Sequence, residues 1–176
     1  MKSEPECRYD LKDRVAIVTG AAGAIGTGIC RGLLRSNCRV AATDISRDRL
    51  NNLVKEFHNE FGDRITGIEI DVTDYDSVSM GIKKVVKIFG CLDIAVINAG
   101  IAYVSTIKDM DIAEFKKLEK VNIDGTLFIL KELATYFEYQ KTGGDIILIS
   151  TKNVFSPGSA FGAYSATKAE LARQGQ

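Results

Sequence analysis

The sequence predicts an α/β fold built on a doubly wound parallel sheet, and two features indicate it. Short apolar runs rich in β-branched residues recur along the 176-residue chain, and an amphipathic stretch of helical period follows each of them. Strands that alternate with helices in this way form parallel sheets through right-handed crossovers. We therefore expect one domain over residues 14–176, with about five strands, after a polar lead-in over residues 1–13.

The first half of the chain contains three of the predicted strands and the helices that connect them. Ser46 is a plausible N-cap for the helix after the second strand, and Thr73 or Asp74 for the helix after the third. Gly90 is placed to end that third-strand helix. The five predicted strands are residues 14–19, 39–44, 65–71, 92–97 and 145–149.

The second half contains one long helical pattern and one loop before the final helix. Helical spacing of apolar residues runs from about Asp111 to Tyr139, with a possible break near Asn122. A loop rich in serine, glycine and proline over residues 150–161 then leads to a helix that carries Tyr164 and Lys168.

Composition excludes several classes of partner. The 23 basic and 23 acidic residues balance, so we expect neither nucleic acid nor an anionic membrane as a partner. No apolar run approaches the ~20 residues of a membrane span, and the polar start is no signal peptide, so we expect a cytoplasmic protein. The four cysteines lack C-x-x-C spacing and there is one histidine, so we expect no metal site.

Three glycines follow the first strand at the start of a helix: Gly20, Gly23 and Gly26. Glycine permits a tight turn and lets the backbone approach a pyrophosphate, whose charge is stabilised at a helix N-terminus. The alternative is that these glycines serve only helix packing. Asp44, which ends the second strand, favours the first interpretation because an acid there can accept hydrogen bonds from a ribose.

Asp44 also bears on the choice of dinucleotide. An acid at this position repels a 2′-phosphate, which favours NAD over NADP, although Arg47 keeps NADP open. By itself Asp44 could also be a turn or capping aspartate. Further along, Asp71 and Val72 could contact an adenine edge or begin the next helix, and residues 98–100 (Asn-Ala-Gly) form a small loop after the fourth strand. All of these lie at strand ends on one edge of the sheet.

Tyr164 and Lys168 are four residues apart, so they share one face of the last helix. A neighbouring ammonium favours the phenolate form of tyrosine, so the pair can act as a general acid/base on an alcohol or ketone. Taken alone, the same spacing is common on ordinary surface helices.

Together these motifs resemble the short-chain dehydrogenase/reductase family over about residues 12–174. The resemblance rests on four segments in order: Thr19-Gly-Ala-Ala-Gly-Ala-Ile-Gly26, Asn98-Ala-Gly100, Val121-Asn122 and Tyr164-x-x-x-Lys168. Within the family, Thr151-Lys-Asn153 followed by Pro157-Gly158 and Phe161-Gly162 is most similar to the dehydrogenase portion of bifunctional aldolase/short-chain dehydrogenases.

The resemblance implies a Rossmann-like fold and an NAD(P)-dependent oxidoreductase acting on a secondary alcohol or ketone, with sugar-derived compounds among the candidate substrates. Tyr164 would exchange the proton, Lys168 would hold the nicotinamide ribose, and Asn122 would order water, unless it only satisfies a helix break. The implied cofactor-binding residues are Gly20, Gly23, Ile25, Gly26, Asp44, Ile45, Asp71, Val72, Asn98, Ala99, Gly100, Tyr164 and Lys168.

Three departures from the family pattern bear on function. The glycine spacing is similar to that of the extended, epimerase-like branch, which leaves an epimerase or dehydratase as an alternative. Thr151 stands where the family usually has its catalytic serine, and its hydroxyl can donate as serine does. Third, the family's last strands are expected to be missing. A catalytically silent dinucleotide-binding fragment is therefore a further alternative, and the homo-oligomer expected of the family is in doubt for this chain.

Overall fold

The computed structural model describes residues 10–174 and shows a five-stranded sheet in which all neighbouring strands are parallel. The strand order is β3-β2-β1-β4-β5, which confirms the predicted α/β fold. The polar lead-in lies largely outside the described residues. The strands are β1 (Val15–Thr19), β2 (Arg39–Asp44), β3 (Ile65–Glu69), β4 (Ile94–Ile97) and β5 (Asp145–Leu148).

Helices cover both faces of the sheet. A π turn at Lys120–Asp124 joins α4 to α5, so the predicted break near Asn122 is a wider turn within a continuous helical path. Short 3₁₀ turns occur at Gly62–Arg64 and Lys152–Val154. The helices are α1 (Ala24–Arg35), α2 (Arg47–Phe61), α3 (Tyr75–Phe89), α4 (Ile112–Glu119), α5 (Gly125–Gln140) and α6 (Gly162–Gln174).

The alternating side chains of β1 contribute to two separate cores. Ala16 and Val18 pack in the cluster that includes Leu34 of α1 and Phe57 of α2. Val15 and Ile17 pack in the opposite cluster with side chains of α3 and α5. A central parallel strand is therefore buried on both faces, which explains why its sequence is an unbroken apolar run.

Two predicted helix starts differ in detail from the structure. Asp74, and not Thr73, caps α3, and its side chain accepts a hydrogen bond from the Asp76 main-chain nitrogen. Ser46 occupies the N-cap position of α2, but its side chain makes no capping bond. Gly90 ends α3 in the left-handed conformation, as predicted.

The third strand ends earlier than predicted, at Glu69. Asp71 instead makes a side-chain turn, in which its Oδ1 accepts from both the main-chain nitrogen and the hydroxyl of Thr73, each at 2.8 Å. The Ser77 hydroxyl accepts from the Asp71 main-chain nitrogen. The strand pairing ends with β2, whose last residue Asp44 lies opposite Glu69, and these local bonds hold the chain beyond it.

Strand β5 lies at one edge of the sheet and pairs only with β4. Its Ile146 and Ile147 side chains are 38% and 47% exposed. Within residues 10–174 no strand covers its outer side.

The strand order reverses beside β1, because the chain first adds β2 and β3 on one side and later β4 and β5 on the other. The carboxyl ends of β1 and β4 therefore meet at the point where such sheets bind ligands. None of the helices within residues 10–174 is long and apolar enough to cross a membrane. No group of three or more metal-binding side chains comes together in that part of the chain.

Candidate active site

A cavity of about 740 Å³ opens at the carboxyl ends of β1, β2, β3 and β4. Further lining comes from residues that the motifs do not include, among them Arg49, Lys117 and Lys120, and from Val121 of the Val121-Asn122 motif. The predicted cofactor-binding residues that line it are Gly20, Gly23, Ile25, Gly26, Asp44, Ile45, Asp71, Val72, Asn98, Ala99 and Gly100.

The glycine turn is shaped by close approaches of its own backbone. Gly20 has a φ of +61°, and a Cβ atom there would lie 2.9 Å from the Ala99 Cα atom. A Cβ atom on Gly26 would overlap the main-chain oxygen of Gly20. Gly23 is the N-cap residue of helix α1, which therefore has no side-chain cap, and its first turn contains no acidic residue. Its N–H groups can therefore stabilise an anion in the cavity.

Thr19 holds the small loop after β4 against the glycine turn. Its Oγ1 accepts from the main-chain nitrogens of Asn98 and Ala99, each at 3.0 Å. In return, Asn98 Nδ2 donates to the main-chain oxygens of Thr19 and Gly20, at 2.9 and 3.1 Å. Thr19 thus positions this loop, although it was not among the predicted site residues. Its place at the end of the first strand and at the start of the glycine motif could have indicated this role.

Asp44 faces the cavity but is already engaged by neighbouring groups. Its Oδ2 accepts from the main-chain nitrogen of Ala22 at 3.2 Å, and its Oδ1 from that of Ser46 at 2.9 Å. Arg49 Nη2 lies 3.5 Å from the same Oδ1. The carboxylate thus ties the glycine turn to the start of α2, as expected of a turn aspartate, and it also lines the cavity.

The other basic residue near Asp44 is placed differently. Arg47 Nε lies 3.5 Å from Glu69 Oε2, and Arg47 is not among the residues that line the cavity. Arg49, and not Arg47, is therefore the arginine among the residues that line the cavity.

Val72 lies against the start of α5. A Cβ atom on Gly125 would be 2.9 Å from Val72 Cγ2 and 3.1 Å from the Val72 oxygen. Only glycine lets the two backbones approach this closely, so Gly125 helps to position this wall of the cavity.

Lys168 is buried in α6, with 5% of its surface exposed. Its Nζ donates to the Ile149 main-chain oxygen just beyond β5, at 3.2 Å. Burial lowers the pKa of Lys168, because removal from water disfavours the ammonium. Tyr164, one turn earlier, is half-buried and its ring meets the edge of Phe161 at a centroid distance of 6.1 Å.

Gly100 is the residue at which the cavity meets this helix. It lines the cavity, yet a Cβ atom on it would lie 3.3 Å from Lys168 Nζ and 3.2 Å from Asn122 Oδ1. Tyr164 and Lys168 themselves do not line the cavity. The structure thus brings eleven of the predicted cofactor residues together and places Lys168 directly behind their wall.

The side chains of Asn122 and Thr151 are both engaged in hydrogen bonds within the protein. Asn122 is fully buried, and its amide bonds the main chain of Ile101 and the hydroxyl of Thr167. Thr151 Oγ1 accepts from the Asn153 main-chain nitrogen at 3.3 Å and so caps the 3₁₀ turn after β5. Neither residue lines the cavity.

Residues 14–173 match the model of the family described as short chain dehydrogenase. The chain belongs to the short-chain dehydrogenase family. This confirms the family predicted from the motifs.

Relatives of this short-chain dehydrogenase include two curated proteins at 31% identity. One is 3beta-hydroxysteroid dehydrogenase 2 of Eggerthella lenta, aligned over 166 residues that cover 93% of this chain and 64% of that protein. The other is sorbitol-6-phosphate 2-dehydrogenase of Escherichia coli, aligned over 157 residues that cover 89% of this chain and 61% of that protein. The chain thus spans less than two thirds of the length of these two relatives.

Solved structures agree with the family assignment. The crystal structure of a short chain dehydrogenase from Mycobacterium smegmatis superposes with a TM-score of 0.90 at 26% identity, covering 93% of this chain and 68% of that one. The superposition supports the Rossmann-like sheet. In this short-chain dehydrogenase the glycine turn follows β1 and the Asn98-Ala-Gly100 loop follows β4, whereas the other two motifs lie in the π turn and in α6.

Proposed function

We propose that this short-chain dehydrogenase is an NAD-dependent oxidoreductase that interconverts a secondary alcohol and its ketone. The observation that carries the proposal is the position of Gly100, which forms the cavity wall on one side and contacts the Lys168 region on the other. The cavity that would hold the dinucleotide therefore lies beside the helix that carries Tyr164 and Lys168. Family membership and the dehydrogenases among the relatives support it.

The cavity fits NAD by its chemistry. The uncapped start of α1 and the close-approach glycines suit a pyrophosphate, and Asp44 can accept from ribose hydroxyls. When bound, NAD would supply the hydride acceptor for alcohol oxidation. We infer NAD over NADP from the Asp44 carboxylate, while Arg49 beside it reduces the repulsion that a 2′-phosphate would meet.

In the oxidation direction the alcohol loses a hydride from carbon and a proton from oxygen. We assign the proton to Tyr164, whose phenolate would accept it and whose phenol would return it in ketone reduction. The buried ammonium of Lys168, one turn away on α6, would stabilise the phenolate. Thr151 would donate a hydrogen bond to the substrate oxygen, and Asn122 would support the site from behind Gly100.

For the substrate we propose only a broad class. Relatives are named for a hydroxysteroid and for a sugar phosphate, and a sugar-derived alcohol also suits the resemblance to aldolase-linked dehydrogenases. That subtype and a homo-oligomeric state remain proposals. We infer a reducing compartment such as the cytoplasm, which fits the free thiols of Cys30, Cys38 and Cys91.

The proposal is tested with the purified chain. Calorimetric titration with NAD and NADP measures binding, and absorbance measures NAD reduction across polyols, sugar-alcohol phosphates and hydroxysteroids. Tyr164→Phe should retain NAD binding and lose turnover by about 10²- to 10⁴-fold, because it removes the acid/base. Turnover that survives Tyr164→Phe unchanged would contradict the assignment.

A second candidate is a module that binds the dinucleotide without turnover. It is favoured by the absence of Tyr164, Lys168 and Thr151 from the lining of the cavity. NAD binding without reduction of NAD by any tested alcohol would support it, and no binding would remove both candidates. NAD retained through purification without net reduction would favour the epimerase-like alternative.

A further inference from the structure

Thr167 lies in α6 between Tyr164 and Lys168, and 1% of its surface is exposed. Its hydroxyl donates to the Tyr164 main-chain oxygen at 2.9 Å. The same Oγ1 lies 3.0 Å from Asn122 Nδ2. Because a hydroxyl has a single proton, which Tyr164 receives, Asn122 must be the donor in the second bond.

The other bonds of Asn122 connect to the cavity wall. Its Oδ1 accepts from the Ile101 main-chain nitrogen at 2.9 Å, and its Nδ2 donates to the Ile101 main-chain oxygen at 3.0 Å. Both Nδ2 protons are therefore used, one on Ile101 and one on Thr167. Ile101 lines the cavity and follows Gly100, so one buried amide joins the cavity wall to α6.

We propose that Thr167 is a positioning residue for the Tyr164–Lys168 pair. Through Asn122, its hydroxyl holds α6 at a fixed position relative to the loop that would carry the cofactor. The inference rests on the proposed function, since the pair must act on a substrate beside that loop. Without the Thr167 acceptor, one Asn122 proton would be buried without a partner, and a shift of α6 or of the π turn would relieve it.

The alternative is that the Thr167 hydroxyl only makes a hydrogen bond to the main chain of its own helix, as buried serine and threonine residues often do. Ser165 is the matched comparison. It is also buried in α6, and its Oγ donates to the Phe161 main-chain oxygen at 2.7 Å. The bonds of Ser165 stay within its own segment, whereas Thr167 also bonds Asn122, which is 45 residues away.

The test compares the unaltered chain with Thr167→Val, Thr167→Ser and Ser165→Ala. Valine keeps the shape of threonine and removes the hydroxyl, whereas serine keeps the hydroxyl. We expect Thr167→Val to lower kcat by about 10- to 100-fold with the Kd for NAD nearly unchanged, because small misplacements of reacting groups are costly. Thr167→Ser should restore kcat, and Ser165→Ala should leave it near the value of the unaltered chain.

Amide hydrogen exchange gives a readout that does not require turnover. Thr167→Val should accelerate exchange at the Ile101 amide, which bonds Asn122 Oδ1, and Ser165→Ala should not. If the unaltered chain binds no NAD or lacks turnover, the proposed function fails, yet this comparison still tests the link. Equal exchange rates of the Ile101 amide in Thr167→Val and Ser165→Ala would overturn the inference. A Thr167→Ser variant with the same low kcat as Thr167→Val would overturn it too. If Thr167→Val does not fold, Thr167→Ala carries the same comparison.

Discussion

Replacing Gly26 with alanine would place a methyl group in the tightest part of the glycine turn. The new Cβ atom would overlap the Gly20 main-chain oxygen and lie 2.7 Å from the Ala21 Cα atom. Both obstacles are backbone, so no side chain can rotate away and the turn itself must shift. Gly28, two residues further along α1, has no atom within 4 Å of the same added methyl group, so Gly28→Ala is a matched control.

The expected magnitudes separate the two variants. Alanine in place of glycine stabilises a helix by up to about 1 kcal/mol, and both variants share this gain. An overpacked methyl group costs about 1–3 kcal/mol. The difference in unfolding free energy between Gly26→Ala and Gly28→Ala should therefore be about 1–3 kcal/mol, with Gly28→Ala equal to or above the unaltered chain.

Urea unfolding measures these free energies, and calorimetric titration measures NAD binding in parallel. Because the displaced turn carries the N–H groups that would meet the pyrophosphate, Gly26→Ala should also weaken NAD binding, whereas Gly28→Ala should not. Equal unfolding free energies and equal NAD affinities in the two variants would refute the reasoning that this turn is shaped by backbone contact.

Two further predictions concern charge. Burial lowers the pKa of Lys168 in the folded chain below its ordinary value of 10.5. At a pH between the lowered pKa and 10.5, the unfolded chain binds more protons than the folded chain, so the free energy of unfolding rises with pH. Urea unfolding measured from neutral pH upward should show this rise in the unaltered chain and in the control Lys55→Met on α2, but not in Lys168→Met. A rise that persists unchanged in Lys168→Met would contradict the prediction. Arg49→Ala should weaken NADP binding about fivefold relative to NAD binding, because Arg49 lines the cavity and would attract the 2′-phosphate that only NADP has. The effect should be no larger, because the Arg49 side chain is 62% exposed and water screens its charge. Arg47 pairs with Glu69, so Arg47→Ala should leave the ratio of NADP to NAD affinity unchanged. If calorimetry shows a larger change in that ratio for Arg47→Ala than for Arg49→Ala, the assignment of Arg49 to the 2′-phosphate position is wrong.

The fold could be predicted because its signals are local. Each strand of the sheet is a short apolar run, and each is followed by a helical pattern, so the order of elements is written along the chain. The carboxyl ends of parallel strands share one edge, so residues after successive strands were expected to meet. Gly20, Asp44, Asp71 and Asn98 do line one cavity.

The details of the site depended on angles and contacts that local patterns do not contain. Arg47 and Arg49 are two residues apart, which on a helix of 3.6 residues per turn means about 200° around the axis. Which of them faces Asp44 depends on where α2 starts relative to β2. The structure turns Arg49 toward the cavity and Arg47 toward Glu69.

The sequence by itself therefore determined the parallel α/β sheet, the glycine turn and the family, because these depend on residue type and spacing along the chain. Only the tertiary structure decided what the polar groups contact. Asn122 was expected to order water or to satisfy a helix break, and its amide bonds Ile101 and Thr167, 21 and 45 residues away. A buried polar group takes whatever partner packing brings within about 3 Å. That distance is a property of the folded chain, which is why Thr167 could be recognised only there.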